Sequence, residues 1–209
     1  MKRIGWMIVV LGLNAAAHAA DTSAPPAKAV APAPAPAVSN EVRTLMASAQ
    51  DMMSHDKWTE AAALFEKVRT LDPTNIDAAF GLGTAYSQAG QYGESLPLLE
   101  QVLKQYPDSP VIKNNLAWVY AKAKDPAIRN PAKAIRMARD AVLTVPSDFN
   151  VWNTLAESYY AAGQYDRALR SARNAWQLSQ LAGVTNNAPF REVLARCEAA
   201  AGTADKTNE

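Results

Sequence analysis

The feature that most constrains this chain of 209 residues is an internal repeat. A leucine and a tyrosine four positions apart occur three times, as Leu82 with Tyr86, Leu116 with Tyr120, and Leu155 with Tyr159. The period is about 34 residues, which is typical of stacked helical units. A unit of this length is too short to bury an apolar face by itself, so successive units stack and share a continuous core. The repeat therefore predicts a solenoid.

A second set of repeated positions locates one insertion. Three alanines recur after one period, as Ala134, Ala138 and Ala141 and then as Ala168, Ala172 and Ala175. Three prolines recur as well, and the step from Pro107 to Pro146 is five positions longer than the step from Pro73 to Pro107. The leucine–tyrosine pairs show the same excess, which therefore lies between Tyr120 and Ala134. There KAKDPAIRNP contains two prolines that interrupt a helix, so one insertion in one loop accounts for every departure from the period.

Each repeat has the apolar pattern of two helices. Leucine and tyrosine four positions apart form one stripe on the first helix. The second helix carries Ala or Ser followed by apolar residues four and seven positions later, as in Ala61, Phe65 and Val68, and in Ser95, Leu99 and Val102. We predict four repeats, at about residues 42–75, 76–109, 110–148 and 149–182.

Residues that favour helix ends agree with this division. The predicted helix starts are a capping box at Thr74 and Asp77, a cap at Ser109 before Pro110, and a cap at Ser147. Gly90 and Gly163 fall where a first helix has to end. Pro97 is expected in the first turn of its helix, where a missing N–H costs little.

Small residues recur where paired helices are expected to touch. They are Gly83, Ala117 and Ala156 on first helices and Ala61, Ala134 and Ala168 on second helices. Such residues allow helix axes to approach to about 8–10 Å. We expect the remaining space to be filled by Tyr86, Tyr120, Trp152 and Tyr159.

These motifs resemble the tetratricopeptide repeat (TPR) family, whose unit carries W/Y-x-x-L-G/A-x-x-Y, then G-x-Y-x-x-A-x-x-x-F/Y-x-x-A and a proline. The second repeat matches at Leu82, Gly83, Tyr86, Gly90, Tyr92 and Pro107; the fourth matches at Trp152, Leu155, Ala156, Tyr159, Gly163, Tyr165, Ala168, Ala172 and Ala175. The first repeat is degenerate in its first helix, and the third contains the insertion. The resemblance covers about residues 41–181 and implies an all-α, right-handed superhelix whose first helices line a concave surface.

The resemblance also implies a protein or peptide partner bound in that concave groove. The positions expected to face it are Phe80, Thr84, Gln88, Asn114, Asn115, Trp118, Lys122, Asn153, Thr154, Glu157 and Tyr160. Asparagine amides both donate and accept hydrogen bonds, and aromatic anchors dominate binding hot spots. In the alternative interpretation, Trp118 packs against the next repeat, and the asparagines cap helices or face water. Lys122 is the one basic residue in the set, which argues against a clamp for a C-terminal carboxylate.

The N-terminus has the three parts of a secretory signal peptide. Lys2 and Arg3 precede an apolar stretch from Ile4 to Leu13, which is followed by the site Ala17-His18-Ala19. We predict a signal peptide over residues 1–19 and a bacterial periplasmic location. The alternative is an uncleaved membrane anchor, because a mostly apolar stretch of about 17 residues is at the lower limit for spanning a bilayer.

The ends of the mature chain differ in composition from the repeats. Residues 20–38 are rich in Ala and Pro, which predicts an extended spacer or, as an alternative, a proline-rich ligand for another protein. Residues 189–200 predict a capping helix with an inner face of Phe190, Val193, Leu194 and Cys197. Residues 201–209 predict a solvated tail. Cys197 is expected to be a small buried apolar residue and not a reactive thiol.

Composition argues against several classes of function. The formal net charge is +1, which gives no sign of a nucleic-acid partner. One cysteine and two histidines leave little for a metal site, and no motif points to a cofactor. His55 lies in the turn after the first predicted helix, where a surface or capping role is expected. We therefore predict a chain without enzymatic activity.

The sequence as a whole predicts an exported scaffold that binds other proteins in the cell envelope. An alternative is a structural subunit of an envelope assembly, such as polysaccharide export, pilus or outer-membrane machinery, that uses its convex face or its ends. A third is an accessory factor for an enzyme or for cytochrome maturation. Affinity for a segment in an open groove is expected to be on the order of micromolar.

Overall fold

The computed structural model describes residues 40–206, which form helices and the turns between them, with no strand in this range. The helices are α1 (Asn40–Ser54), α2 (Trp58–Leu71), α3 (Ile76–Gln88), α4 (Tyr92–Gln105), α5 (Pro110–Lys122), α6 (Pro131–Thr144), α7 (Phe149–Ala161), α8 (Tyr165–Leu181) and α9 (Ala188–Lys206). The predicted signal peptide (1–19), the spacer (20–38) and residues 207–209 of the predicted tail lie outside the described residues.

The helices form four antiparallel pairs and a final helix, as the repeat predicts. Helices α1 with α2, α3 with α4, α5 with α6, and α7 with α8 are the pairs, and α9 packs against α8 and α7. The loop between α5 and α6 contains the insertion. Helix α9 ends at Lys206 and not at the predicted Ala200, so residues 201–206 continue the helix. The run of alanines at 199–201 favours helix and carries it past the predicted end.

Contacts between repeats show which helices lie inside the solenoid. Each first helix contacts the next one, through the pairs α1–α3, α3–α5, α5–α7 and α7–α9. Within residues 40–206, the backbones of successive second helices stay farther apart, and side chains such as those of Glu100 and Lys133, 3.1 Å apart, connect them. First helices therefore form the close-packed inner layer, and second helices spread apart on the outside. This arrangement confirms the all-α solenoid with α9 as its C-terminal cap.

Small residues make the helix contacts close, as predicted. All six predicted small positions are buried. A Cβ atom added at Gly83 would lie 3.0 Å from Leu99, and one at Gly81 would lie 2.3 Å from the ring of Phe65. Gly81, which the motif does not include, is therefore the tighter contact. Phe65 fills the space that a side chain at this position would need.

Helix starts depart from the prediction at two positions. Asn75, not Thr74, caps α3, because its side-chain oxygen accepts from the backbone N–H of Ala78 at 2.9 Å. Asp148, not Ser147, caps α7 by accepting from the N–H of Asn150 at 2.8 Å. Both caps lie one residue later than predicted. Ser109 is at the predicted cap position of α5 but forms no capping hydrogen bond through its side chain.

The backbone conformation confirms that Gly90 and Gly163 end helices, and it corrects the predicted position of Pro97 within its helix. Gly90 and Gly163 have φ values of 79° and 72°, in the left-handed region that glycine tolerates at the end of a helix. Pro97 lies inside α4, in its second turn and not its first. There it removes a backbone N–H that would otherwise bond to the carbonyl of Gly93. Its ring is exposed, so the cost is confined to the outer side of the helix.

The three repeated tyrosines connect neighbouring repeats on the outside of the first helices. The Tyr86 hydroxyl donates to the carboxylate of Glu66 in the preceding second helix. The Tyr120 hydroxyl donates to Glu100 at 2.5 Å and accepts from Lys133. We call such a position, where a tyrosine packs between two successive second helices, a seam, and name each seam by its tyrosine.

The inserted loop ties the third repeat to the fourth. One guanidinium nitrogen of Arg129 donates to the carbonyl of Ala121 at 3.1 Å, and another donates to the carbonyl of Ala161 at 3.1 Å. These carbonyls lie near the C-terminal ends of α5 and α7, where backbone oxygens lack helical partners and a cation is favoured. Asn130 caps α6 by accepting from the N–H of Lys133 at 3.0 Å. The insertion is thus an ordered part of the solenoid.

Candidate interaction groove

The eleven residues predicted to face the groove all lie on the inner helices α3, α5 and α7. Those that keep some exposed surface are Phe80, Thr84, Gln88, Asn115, Trp118, Lys122 and Tyr160; those that are buried are Asn114, Asn153, Thr154 and Glu157. Thr154 is 1% exposed and offers a partner almost no surface. The three aromatic residues of the set, Phe80, Trp118 and Tyr160, are half-buried.

Asn114 and Asn153 are equivalent positions of successive repeats. They are 8% and 4% exposed, respectively. The side-chain oxygen of each is buried and has no hydrogen-bond partner among the described residues. A buried acceptor without a donor costs about 1–3 kcal/mol, and a donor reaches either oxygen only when its side chain rotates toward the groove.

Asn115 differs from these two because its amide is already engaged. Its nitrogen donates to the hydroxyl of Thr84 at 3.0 Å, from α5 to α3. This bond connects two inner helices across a repeat boundary. Neither the predicted peptide-binding role nor the alternative, in which the asparagines cap helices or face water, includes this bond between repeats.

Charged and aromatic side chains meet around Glu157 at the C-terminal end of the groove. The carboxylate of Glu157 lies 3.3 Å from the ammonium of Lys122 and 2.6 Å from the guanidinium of Arg196. Lys122 also lies over the ring of Trp118, at 5.1 Å, and Arg196 over the ring of Tyr160, at 4.6 Å. We call these five residues, together with Tyr92, the Glu157 cluster.

Tyr92 belongs to the cluster through the indole of Trp118, which donates a hydrogen bond to its hydroxyl. Burial raises the pKa of Tyr92, and the negative charge of Glu157 raises it further. The Tyr92 hydroxyl is therefore neutral throughout the physiological range. With two cations and one carboxylate, the cluster has a net charge of +1 and holds its aromatic rings by cation–π and hydrogen-bond contacts.

Sequence reasoning found four members of the Glu157 cluster and missed Tyr92 and Arg196. Tyr92 was identified as a motif residue at the start of a second helix but not as a groove residue. Arg196 lies on α9, which was treated only as a cap with an apolar inner face. A capping helix takes the place of the next first helix, so one of its faces lines the groove. The repeat pattern could therefore have indicated groove residues on α9.

A cleft of about 600 Å³ adjoins the cluster. One wall is residues 90–94, which span the turn after α3 and the start of α4, and the other is Lys122 at the end of α5 with residues 123–125 and Ile128 of the inserted loop. Tyr92 and Lys122 belong to both the cleft and the Glu157 cluster. The cleft therefore lies where the inserted loop approaches the second repeat.

Other chemistry-bearing residues have local roles. Nδ1 of the exposed His55 contacts the carbonyl of Asp51 at 2.8 Å in the turn after α1, as a capping role predicts. Cys197 is buried, as predicted, and burial raises the pKa of its thiol to about 11. Across residues 40–206, no group of three metal-ligating side chains is found, and no helix is long and apolar enough to cross a membrane.

Family comparison identifies the class of protein that this fold defines. Tetratricopeptide repeat family models match residues 52–95, 88–127 and 127–182, which together exceed half of the chain. The chain belongs to the tetratricopeptide repeat family. Proteins of this family generally act as scaffolds for protein–protein interaction.

Individual relatives are distant. Superkiller protein 3 of Schizosaccharomyces pombe is 26% identical over 123 residues, which are 58% of this chain and 9% of that protein. This chain therefore spans about a tenth of that relative's length. A thermophilic TPR protein of Thermus thermophilus has a TM-score of 0.63 at 18% identity, over 78% of this chain and 84% of that one. MamA of Desulfovibrio magneticus has a TM-score of 0.55 at 14% identity, over 81% and 99%. These structures share the fold.

The Glu157 cluster predicts a specific effect on stability. Glu157→Gln removes the carboxylate shared by Lys122 and Arg196 and leaves two cations close together, so we expect a loss of about 1–3 kcal/mol in the free energy of unfolding. Urea denaturation checks this loss. The matched control is Glu198→Gln, whose ion pair with Arg173 is exposed and 3.9 Å long, and whose effect should stay below about 0.5 kcal/mol. Equal effects of the two changes would contradict the structural role of Glu157.

Proposed function

We propose that this chain is an exported scaffold that binds an extended segment of a partner protein along its concave groove, within the bacterial cell envelope. The observation that carries the proposal is the pair of buried, unpartnered side-chain oxygens of Asn114 and Asn153. They occupy equivalent places in successive repeats and are directed by the same helix geometry. Each oxygen has almost no accessible surface, so rotation of the two side chains toward the groove accompanies binding and lets them accept from backbone N–H groups of one extended segment.

The Glu157 cluster supplies the other requirements of a binding site. Trp118 and Tyr160 are half-buried aromatic residues held by cations, which is the composition of an interface anchor. The adjoining cleft offers room for a side chain of the bound segment. Backbone recognition by the asparagines, combined with one anchored side chain, favours modest affinity and broad specificity.

The export part of the proposal rests on the sequence of residues 1–19. A basic start, an apolar stretch and a small-residue site in this order are typical of a cleaved signal peptide. The Ala- and Pro-rich residues 20–38 suit a spacer between that segment and the first helix.

A second candidate function is that of a structural subunit that binds through its outer surface. The observation that favours it is a change in charge along the second helices, which are neutral in α2, acidic in α4 and basic in α6 and α8. The two functions use opposite faces of the solenoid and are compatible in one scaffold.

Peptide selection tests the groove. Random peptides displayed on phage and selected against the full chain should bind with dissociation constants on the order of micromolar. We expect Trp118→Ala and Asn153→Ala each to weaken that binding by about tenfold, measured by fluorescence anisotropy, because each removes a desolvated contact.

Arg136→Ala is the control for that selection, since Arg136 is exposed on the outer helix α6. It should leave the affinity of the selected peptides unchanged. Selected peptides that bind Trp118→Ala and Asn153→Ala as well as they bind the unaltered chain would contradict binding in the groove.

Mass spectrometry tests export. When the full chain is expressed in a Gram-negative bacterium and recovered from the periplasmic fraction, its intact mass should correspond to a mature protein that begins at Ala20. Ala17→Gln and Ala19→Gln introduce large side chains at the cleavage site and should block processing. Recovery of the unprocessed chain from the soluble cytoplasmic fraction would contradict the export proposal.

A further inference from the structure

The outer surface of the second helices changes charge at matched positions. Three positions recur in each second helix, one residue before the small residue of the helix contact and two and five residues after it. In α2 and α4 they hold Glu60, Ala63 and Glu66, and Glu94, Pro97 and Glu100; in α6 and α8 they hold Lys133, Arg136 and Arg139, and Arg167, Arg170 and Arg173. At these positions the first two repeats are acidic and the last two are basic, although the net charge of the whole chain is close to zero.

The same change is visible at the three tyrosine seams. The Tyr86 seam carries the carboxylates of Glu66 and Glu94, and the Tyr120 seam carries one carboxylate, Glu100, and one cation, Lys133. By the repeat, Arg139 replaces Glu100 and Arg167 replaces Lys133 at the Tyr159 seam. The position that holds a carboxylate in the first two seams therefore holds a guanidinium in the third.

Contacts show that the equivalence holds in the fold. Lys133 lies over the ring of Tyr120 at 4.3 Å, and Arg167 lies over the ring of Tyr159 at 5.9 Å. Tyr159 packs against the apolar residues of both α6 and α8, as a seam tyrosine does. Within residues 40–206, however, no carboxylate accepts a hydrogen bond from the Tyr159 hydroxyl, in contrast to Tyr86 and Tyr120.

The cations around the Tyr159 seam have few counter-charges. Arg136, Arg139 and Arg170 are exposed and form no ion pair within the described part of the chain. Of the two acidic residues on α6 and α8, Asp140 already pairs with Lys113 at 3.8 Å, and Asp166 lies in the first turn of α8. Arg167 donates to the side chain of Gln164 at 3.0 Å, which leaves its charge without a counter-ion.

We propose that the Tyr159 seam binds a glutamate or aspartate side chain of an acidic segment in a partner protein. The carboxylate accepts from the Tyr159 hydroxyl and from Arg139 and Arg167, in the place that Glu66 and Glu100 occupy in the other seams. Arg136 and Arg170 contact further carboxylates of the same segment. This surface is separate from the concave groove and does not depend on it.

The internal repeat favours a carboxylate over a nucleic acid or a lipid membrane as the anion bound at the Tyr159 seam. In both seams where the structure supplies the anion, that anion is a carboxylate bonded to the tyrosine hydroxyl. A guanidinium binds a carboxylate in a planar, two-bond geometry, which favours this ligand over a diffuse anionic surface. A nucleic acid or a lipid membrane would instead need a broad basic surface and would depend little on one tyrosine.

The test measures binding of a fluorescein-labelled oligoglutamate peptide to the full chain by fluorescence anisotropy. Arg139→Glu restores the carboxylate of the other seams and should weaken this binding by about tenfold or more. Tyr159→Phe should weaken it by about threefold, through loss of one hydrogen bond. Lys67→Glu, on the outer surface of α2, makes the same change in charge and should have less than about a twofold effect.

Thermal unfolding of each variant shows whether weaker binding results from loss of folding. Because Arg139→Glu recreates the arrangement seen at Tyr120, its thermal midpoint should be at least as high as that of the unaltered chain. If that variant does not fold, Arg139→Gln keeps a long polar side chain and should still weaken binding. Trp118→Ala should leave oligoglutamate binding unchanged, which separates this proposal from the one for the groove.

Several results would overturn the proposal. Equal binding of oligoglutamate by Arg139→Glu and the unaltered chain would do so, and so would equal losses for Arg139→Glu and Lys67→Glu. Duplex DNA or phosphatidylglycerol vesicles that bind more tightly than oligoglutamate, with no effect of Tyr159→Phe, would assign the surface to another anion. Dimerisation that Arg139→Glu abolishes would assign it to a second copy of the chain.

Discussion

Close contact between small residues of neighbouring helices is the interaction on which the rest of the structure depends. Because the helices at Ala117, Ala134 and Ala156 approach without intervening side chains, each repeat buries its apolar face against the next. The backbones of successive inner helices approach one another closely and those of successive outer helices do not, which curves the solenoid. A groove with buried asparagines and an outer surface with seams are both consequences of that curvature.

Much of the fold could be predicted from the sequence because equivalent residues recur at a regular spacing in successive repeats. Four helix pairs, their boundaries at Gly90 and Gly163 and the insertion before α6 are all set by spacing. The helix starts differ from the prediction by one residue because the side-chain oxygens of Asn75 and Asp148 reach the helix N–H groups, whereas the Thr74 hydroxyl donates to Asp72. The end of α9 was missed because a run of alanines extends a helix without any apolar period.

The groove was predictable as a surface but not in its detail. Periodicity places Trp118 and Glu157 on inner helices. It does not give the distances between side chains of different repeats, which decide how those side chains pair. The ion pair of Glu157 with Arg196 and the bond from Asn115 to Thr84 are of this kind. The repeat also aligns charged positions. It shows that Tyr86 and Tyr120 each have a carboxylate where Tyr159 has Arg139. Two faces with different chemistry suit a scaffold for more than one partner.

Native-state hydrogen exchange, followed by mass spectrometry, tests most directly whether repeats are stable only through their neighbours. A repeat with two neighbours opens less often than one at an end, so amide protection should be greatest in α4 and α5 and fall toward α1 and α9. Uniform protection along all described helices, or protection in α1 as great as that in α5, would contradict stabilisation by shared burial between repeats.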